Sequence, residues 1–228
     1  RYAPDTQIYN VPLLFNNYAE VDHVRKHIDA ELEQAFEKAG FVNFGLAEGG
    51  FAYVMSKKPI ATTDELAKNK IWAPGDDPAA QAAAETFNFS PVPLSIGDVL
   101  TGLQTDLINT VTTSPVAAIA LQWHTQIRYI TDLPLAYFYA LMVIDDKAFA
   151  KVSPADQKIV RDVMRTAFVN IGQQNRKDND SAFGVLKNQG ITMITPNEAQ
   201  LTQWFNMTRS ASGLFVEKAG INKQLLSR

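Results

Sequence analysis

One helical pattern late in the chain constrains the fold more than any other feature. Ser153 at an N-cap position and Pro154 at the first helical position open it, and apolar residues at helical spacing continue toward Asn188. The average helix has only about 11–12 residues. A helix this long suits a strut that crosses two lobes, so we expect a two-lobed protein.

The segments before residue 153 alternate between helical and strand-like patterns, which is typical of an α/β fold. The first helix is predicted to begin near Asn17, with Glu20 as its capping partner, and to end at Gly40. Two strands, residues 41–46 and 51–55, are predicted to follow, separated by Gly49 and Gly50. Further strands are predicted at residues 70–73, 92–94, 107–111, 128–131, 137–144 and 191–194, and further helices at 79–87, 96–104 and 115–123.

Composition excludes several classes of protein. Hydrophobic residues make up 46% of the 228 residues, which is enough to build a core without disulfides, and there is no cysteine for a thiolate metal site or a Cys nucleophile. The net charge is −3 and no basic cluster exceeds Lys57-Lys58, so we expect no nucleic-acid partner. No apolar run approaches the roughly 18 residues of a membrane span.

Motifs for phosphate binding and for serine or metal hydrolysis are absent from the sequence. His23 and His27 share a helix face with Glu31 and could chelate a metal, but a solvated polar face is the favoured interpretation. Asp76 and Asp77 could act as paired carboxylates, although capping of the following helix is favoured. We therefore predict no metal, no cofactor and no catalytic residue.

Two other groups of residues could either bind a ligand or serve only to cap a helix or fill the core. Hydroxyl groups end one predicted strand, at Thr110, Thr112, Thr113 and Ser114, where they could bind a polar ligand or only cap the next helix. Large aromatic residues near strand ends could line a pocket or belong to the core, which is favoured: Phe51, Tyr53, Trp72 and Trp123. A hydrolytic triad of Ser114, His124 and Asp132 is a weak alternative, because no nucleophile elbow surrounds the serine.

Several segments together resemble the solute-binding receptors of tripartite ATP-independent periplasmic (TRAP) transporters, the dicarboxylate-receptor-like (DctP-like) family. These segments are YNVPLLF at 9–15, SKKPI at 56–60, KIWAP at 70–74, PVPL at 91–94 and DVLTGLQT at 98–105. Their order and spacing match over essentially the whole chain. The resemblance implies a two-lobe periplasmic solute-binding fold that closes on a small organic solute and delivers it to membrane subunits of the transporter. Lobe one would comprise residues 1–49 and 139–177, and lobe two residues 50–138 and 178–228.

The ligand-binding residues implied by this resemblance depart from the family pattern. Trp72 stands where the family has a carboxylate-binding arginine, Ala52 where a second arginine is frequent, and Thr113 near a ligand-facing asparagine. Phe51, Ile96 and Thr112 are expected as neighbours in the cleft. Loss of the bidentate guanidinium removes the strongest carboxylate contact, so we expect a solute other than a C4-dicarboxylate.

The family also carries an N-terminal strand–helix–strand portion before the segment at 9–15. Its absence here predicts that the N-terminal strands of lobe one are missing and that the chain alone is incomplete as a receptor, having been cleaved or cut from a longer protein. Two alternatives to a receptor stay open at this point. One is a hydrolase acting on a small molecule, and the other is a ligand-sensing domain of a larger protein.

Overall fold

The computed structural model describes residues 3–75 and 77–227. Within them, the α-helices are α1 (Tyr18–Lys38), α2 (Thr63–Ala67), α3 (Pro78–Thr86), α4 (Val99–Gln104), α5 (Pro115–Ala120), α6 (Asp146–Phe149), α7 (Pro154–Asn188) and α8 (Glu198–Ala219). The strands in the same residues are β1 (Phe41–Ser56), β2 (Ile71–Ala73), β3 (Pro91–Pro93), β4 (Thr110–Thr113), β5 (Tyr129–Thr131), β6 (Ala136–Asp145) and β7 (Thr192–Ile194). Short 3-10 helices lie at Pro4–Asn10, Ile96–Asp98, Trp123–Thr125 and Lys223–Ser227.

Capping side chains set the starts of α1 and α7, as predicted. Asn17 accepts a hydrogen bond from the backbone N–H of Glu20 at 3.0 Å and so caps α1. Ser153 accepts one from the backbone N–H of Asp156 at 3.2 Å and caps α7, which runs through 35 residues. The long helix predicted from Ser153 and Pro154 is therefore confirmed. Asp77 directly precedes α3 and its carbonyl accepts from Gln81, whereas Asp76 lies outside the described residues.

The two predicted strands over 41–55 are one continuous strand, so that prediction is wrong. In β1 the pairing with β6 shifts register between Asn43 and Leu46 and again between Glu48 and Gly50. Gly50 has φ +95°, which favours glycine, and it absorbs the second irregularity within the strand. The glycine pair therefore produces a bulge where the sequence pattern suggested a break between two strands.

β1 joins two parts of the sheet. Its residues 41–52 pair antiparallel with β6, whereas residues 53–56 pair antiparallel with β4, and the last two of these also pair with β5. In the described chain the remaining order runs β3-β2-β4-β1-β5-β7, and β2 is parallel to both β3 and β4. The predicted strand at 107–111 is shifted, since β4 begins only at Thr110 after Asn109 accepts from the backbone of Lys70.

Separate apolar clusters support the two ends of β1. One cluster packs α1 against β6 and the N-terminal 3-10 helix, around Tyr9, Phe15 and Ile28. Another lies beneath β4 and α4, around Met55 and Leu103. The three predicted lobe boundaries, at 49/50, 138/139 and 177/178, all fall inside continuous elements, namely β1, β6 and α7. The division into lobes therefore stays a prediction.

Side chains in the two halves of α7 differ in burial. Its C-terminal half buries Ala182 and Leu186, while Ile159, Val163 and Ile171 of the predicted apolar stripe are exposed. In the part of the chain described here, no helix combines the length and the apolar character needed to cross a membrane.

Candidate functional site

A cavity of about 330 Å³ lies at the carboxyl ends of the parallel strands β2, β3 and β4. Trp72 to Pro74 lie at the end of β2, Thr112 and Thr113 end β4, and Ile96 follows β3. Helices α3 and α5 form further walls, and Asn10 and Pro12 close one side. In open α/β sheets, ligands bind at this edge of the strands. The topology therefore places the cavity where a small-molecule site is expected.

Four of the six residues predicted to bind ligand border this cavity: Trp72, Ile96, Thr112 and Thr113. Ile96 is 60% exposed, which is consistent with a place at the open side of the cavity.

The other two, Phe51 and Ala52, are not among the residues that line the cavity. Phe51 is 4% exposed, and its ring packs 5.0 Å from Tyr18 and 5.6 Å from Tyr137. Ala52 is fully buried and pairs with Ala136 of β6, which itself lines the cavity. These two residues lie in the core beside the cavity.

Four residues with side-chain hydroxyls lie at the end of β4, and two of them make hydrogen bonds within the protein. Thr110 donates to the Asn109 side chain at 3.1 Å, and Ser114 accepts from the backbone N–H of Ala117 at 3.3 Å as the cap of α5. The side-chain hydroxyls of Thr112 and Thr113 make no hydrogen bond within the described residues, and neither is sealed from solvent. The capping interpretation is therefore confirmed for Ser114, whereas ligand binding by Thr112 and Thr113 stays a prediction.

Aromatic rings form much of the cavity surface. The Trp72 indole N–H donates to the carbonyl of Leu94 at 3.0 Å, which fixes the orientation of the ring. Its centroid lies 5.2 Å from that of Trp123, with the ring planes at 72°. Trp123 is buried and also contributes to the core, so it serves both roles that the sequence suggested. Tyr53 lies outside the lining and packs edge-on against Phe183.

Further lining residues were missed by the sequence analysis: Asn10, Phe87, Phe89, Leu135 and Phe138. Asn10 belongs to the segment at 9–15, whose resemblance to the family could have suggested it. Phe87 and Phe89 lie in the short connection between α3 and β3, and Phe138 lies in β6; neither segment carries a motif. The folding of the sheet brings Phe138 near the other two, which a local sequence pattern does not reveal.

The cavity contains little charge. Of the described residues that line it, none is lysine, arginine or histidine, and the one carboxylate is that of Asp77. A bound anion would therefore meet neutral hydroxyl and backbone groups rather than a guanidinium. This composition agrees with the loss of arginine at the position of Trp72.

The remaining candidates from the sequence do not assemble into reactive sites. His23 and His27 stack on the exposed face of α1 with ring centroids 4.7 Å apart, and the His27 Nδ1 lies 2.7 Å from the carbonyl of His23. Over residues 3–75 and 77–227, no group of three or more His, Cys, Asp or Glu side chains could hold a metal ion. His124 Nδ1 lies 3.1 Å from the carbonyl of Ala118, while Ser114 caps α5, so neither is engaged with the other.

A buried polar network lies at the bulge of β1. Glu48 is 3% exposed, and both its carboxylate oxygens accept hydrogen bonds of 2.6 Å from Arg176 of α7. Tyr137 donates to the same carboxylate at 3.0 Å, and Arg176 also binds Asp22 of α1 at 2.9 Å. The hydrogen bond from Arg176 holds the pKa of Asp22 below its usual value. The network joins α1, β1, β6 and α7.

Asn179 extends this connection toward the cavity. Its side chain donates to the carbonyl of Gly49 at 3.2 Å and accepts from the backbone N–H of Val116 in α5 at 3.2 Å. Val116 precedes Ala117, which lines the cavity. α7 therefore ties one wall of the cavity to the bulge of β1.

Comparison with known proteins gives a consistent picture. The family described as bacterial extracellular solute-binding protein, family 7, matches residues 1–218. The 2,3-diketo-L-gulonate-binding periplasmic protein of Escherichia coli (strain K12) is 26% identical over 206 residues, covering 85% of this chain. The chain spans 59% of the length of that relative.

Solved structures share the fold at low sequence identity. A TRAP periplasmic solute-binding protein from Shewanella oneidensis with bound succinate has a TM-score of 0.90 at 16% identity, covering 100% of this chain and 74% of that one. The periplasmic ectoine-binding protein of Halomonas elongata has a TM-score of 0.86 at 18% identity, covering 99% of this chain and 74% of that one. The predicted α/β solute-binding protein fold is confirmed.

Proposed function

Because the chain belongs to family 7 of the bacterial extracellular solute-binding proteins, we propose that it is a receptor that binds a small organic solute in the cavity beside Trp72. The observation that carries this proposal is the cavity itself. It lies at the carboxyl edge of parallel strands and is bordered by two threonine hydroxyls that have no hydrogen-bond partner in the described protein. Binding needs no bond to be made or broken, so the proposed receptor function assigns no catalytic residue.

The solute is delivered to the membrane subunits of a TRAP transporter, and the receptor works in the periplasm. Support comes from the relatives, which include TRAP periplasmic solute-binding proteins with bound succinate or β-D-galacturonate and a periplasmic ectoine-binding protein. These ligands are all small organic molecules. The same broad class of solute suits a cavity of about 330 Å³.

Hinge closure of two lobes is the proposed mechanism. Lobe one comprises residues 1–49 and 139–177, and lobe two residues 50–138 and 178–228. Asn10 and Pro12 would then face Trp72 and Thr113 across the cavity. The lobes would be joined at the bulge of β1, within β6 and through α7. A solute drives closure only to the extent that it binds the closed state better than the open one.

Native mass spectrometry of the purified protein tests this function. We expect the wild-type protein to retain a small organic molecule, either from the expressing cells or from a mixture of small organic acids, and to release it on denaturation. Ala117→Trp places a large side chain at the cavity wall and should abolish retention. Ala155→Trp, at an exposed position of α7, is the matched control and should retain the molecule. Failure of the wild type to retain any solute, or equal retention by Ala117→Trp, would contradict the proposal.

A further inference from the structure

Aromatic side chains make up much of the lining of the cavity. Five rings border it: Trp72, Phe87, Phe89, Trp123 and Phe138. Trp72 is held by its hydrogen bond to Leu94, and Trp123 packs edge-on against it. Rings that are already ordered offer apolar area without a large loss of side-chain entropy on binding. Such a surface favours a solute with a flat apolar body.

The polar groups at the cavity carry little charge, and what charge there is has the wrong sign for a dianion. Thr112 and Thr113 each offer a hydroxyl that can donate to or accept from a polar atom of the solute. Asp77 adds a carboxylate to the lining, while none of the described lining residues is a cation. A second carboxylate on the solute would lose water without gaining a compensating charge, which is costly.

From these two observations we propose that the solute is a ring-bearing molecule with at most one negative charge. Its ring packs on Trp72 and the neighbouring phenylalanines, and its polar atoms bind the hydroxyls of Thr112 and Thr113, which lie on opposite faces of β4 at the edge of the cavity. The cavity of about 330 Å³ is at the lower end of the range for small-molecule sites, which suits one six-membered ring with a short substituent. The proposal rests on the proposed receptor function and specifies the substrate class.

Isothermal titration calorimetry with two probes of different chemistry tests the proposal directly. 3-Phenylpropanoate carries one ring and one carboxylate, whereas adipate has a flexible chain and two carboxylates. We expect the wild-type protein to bind 3-phenylpropanoate at least tenfold more tightly than adipate or succinate. Equal or tighter binding of either dicarboxylate would overturn the proposal, and so would the absence of heat from 3-phenylpropanoate.

Substitutions at the hydroxyls test the polar half of the proposal. Thr112→Val and Thr113→Val keep the shape of the side chain and remove the hydroxyl, so each should weaken 3-phenylpropanoate binding about tenfold. Thr110→Val on the same strand is the matched control, because its hydroxyl binds Asn109 outside the cavity. It should change affinity by less than about twofold. Equal effects of all three substitutions would contradict a direct role for Thr112 and Thr113.

A gain of dicarboxylate binding tests the charge argument. Trp72→Arg supplies a guanidinium at the cavity and should raise succinate affinity about tenfold while lowering that for 3-phenylpropanoate. If this variant does not fold, the comparison of probes on the wild-type protein still decides the proposal. Tight wild-type binding of succinate that Trp72→Arg does not improve would refute the inference and leave the receptor function intact. Failure of the wild type to retain any solute in mass spectrometry would instead refute the receptor function.

Discussion

Replacing Arg176 with methionine should destabilise the protein strongly, because it removes both hydrogen bonds that a guanidinium makes to a buried carboxylate. Glu48 would keep only the hydrogen bond from Tyr137 and the guanidinium of Arg25 at 3.9 Å. Removal of one partner of a buried ion pair costs about 3–5 kcal/mol, and the partial exposure of Arg176 favours about 3 kcal/mol. At about 2–4 °C per kcal/mol for a chain of this size, the melting temperature should fall by about 6–12 °C.

Urea unfolding followed by circular dichroism measures this free energy. Asp22→Asn is one control, since Asp22 is 43% exposed and its loss leaves the Arg176–Glu48 pair in place. It should cost less than about 1 kcal/mol. Lys158→Met breaks an exposed pair with Asp162 on the same helix and should leave the melting temperature unchanged. A loss below about 1 kcal/mol for Arg176→Met, or a similar loss for Asp22→Asn, would refute the argument from burial.

Two further predictions concern backbone geometry and pH. Gly50→Ala should destabilise the protein by at least about 1–3 kcal/mol, because φ is +95° and a Cβ atom would lie 2.6 Å from the Asn179 amide nitrogen. Gly184→Ala, with nothing within 4 Å in α7, should instead stabilise it by about 0.5–1 kcal/mol in the same urea assay, and the reverse order would contradict this reading of β1. Burial raises the pKa of Glu33, because it favours the neutral carboxyl over the charged carboxylate. The contribution of this group to stability is therefore present at low pH, where the carboxyl is neutral, and is lost as pH rises through its folded-state pKa. Glu33→Gln should therefore raise the melting temperature at pH 7 but not at pH 4, and a lower melting temperature at pH 7 would show that the pair with Arg165 outweighs burial.

Local signals predicted much of the secondary structure. The caps at Asn17 and Ser153 depend on hydrogen bonds that span only three residues, so the sequence window contains both partners. The continuity of β1 depends on its pairing with β6, for example of Glu48 with Tyr139, which are about 90 residues apart in sequence. A glycine pair has the same local appearance in a turn and in a bulge, and only the partner strand distinguishes them.

The sequence also predicts some residues of the candidate site correctly and misplaces others. Trp72, Thr112 and Thr113 lie at the ends of strands that the sequence predicts, so their place at one edge of the sheet follows from the α/β pattern. Phe51 was expected in the cleft because of its sequence position beside Ala52. The structure places it in the core, because β1 pairs with β6 on this stretch and turns its ring toward Tyr18 and Tyr137.

Nuclear magnetic resonance of the tryptophan indole groups tests most directly whether the cavity is the solute site. The chain has three tryptophans. Trp72 and Trp123 line the cavity, whereas Trp204 does not line it and lies behind Phe87 with ring centroids 5.5 Å apart, its indole N–H donating to the carbonyl of Ala61. Titration with 3-phenylpropanoate should shift the indole N–H signals of Trp72 and Trp123 more than that of Trp204. A titration that produces heat of binding but shifts only Trp204, or none of the three, would contradict this assignment of the site.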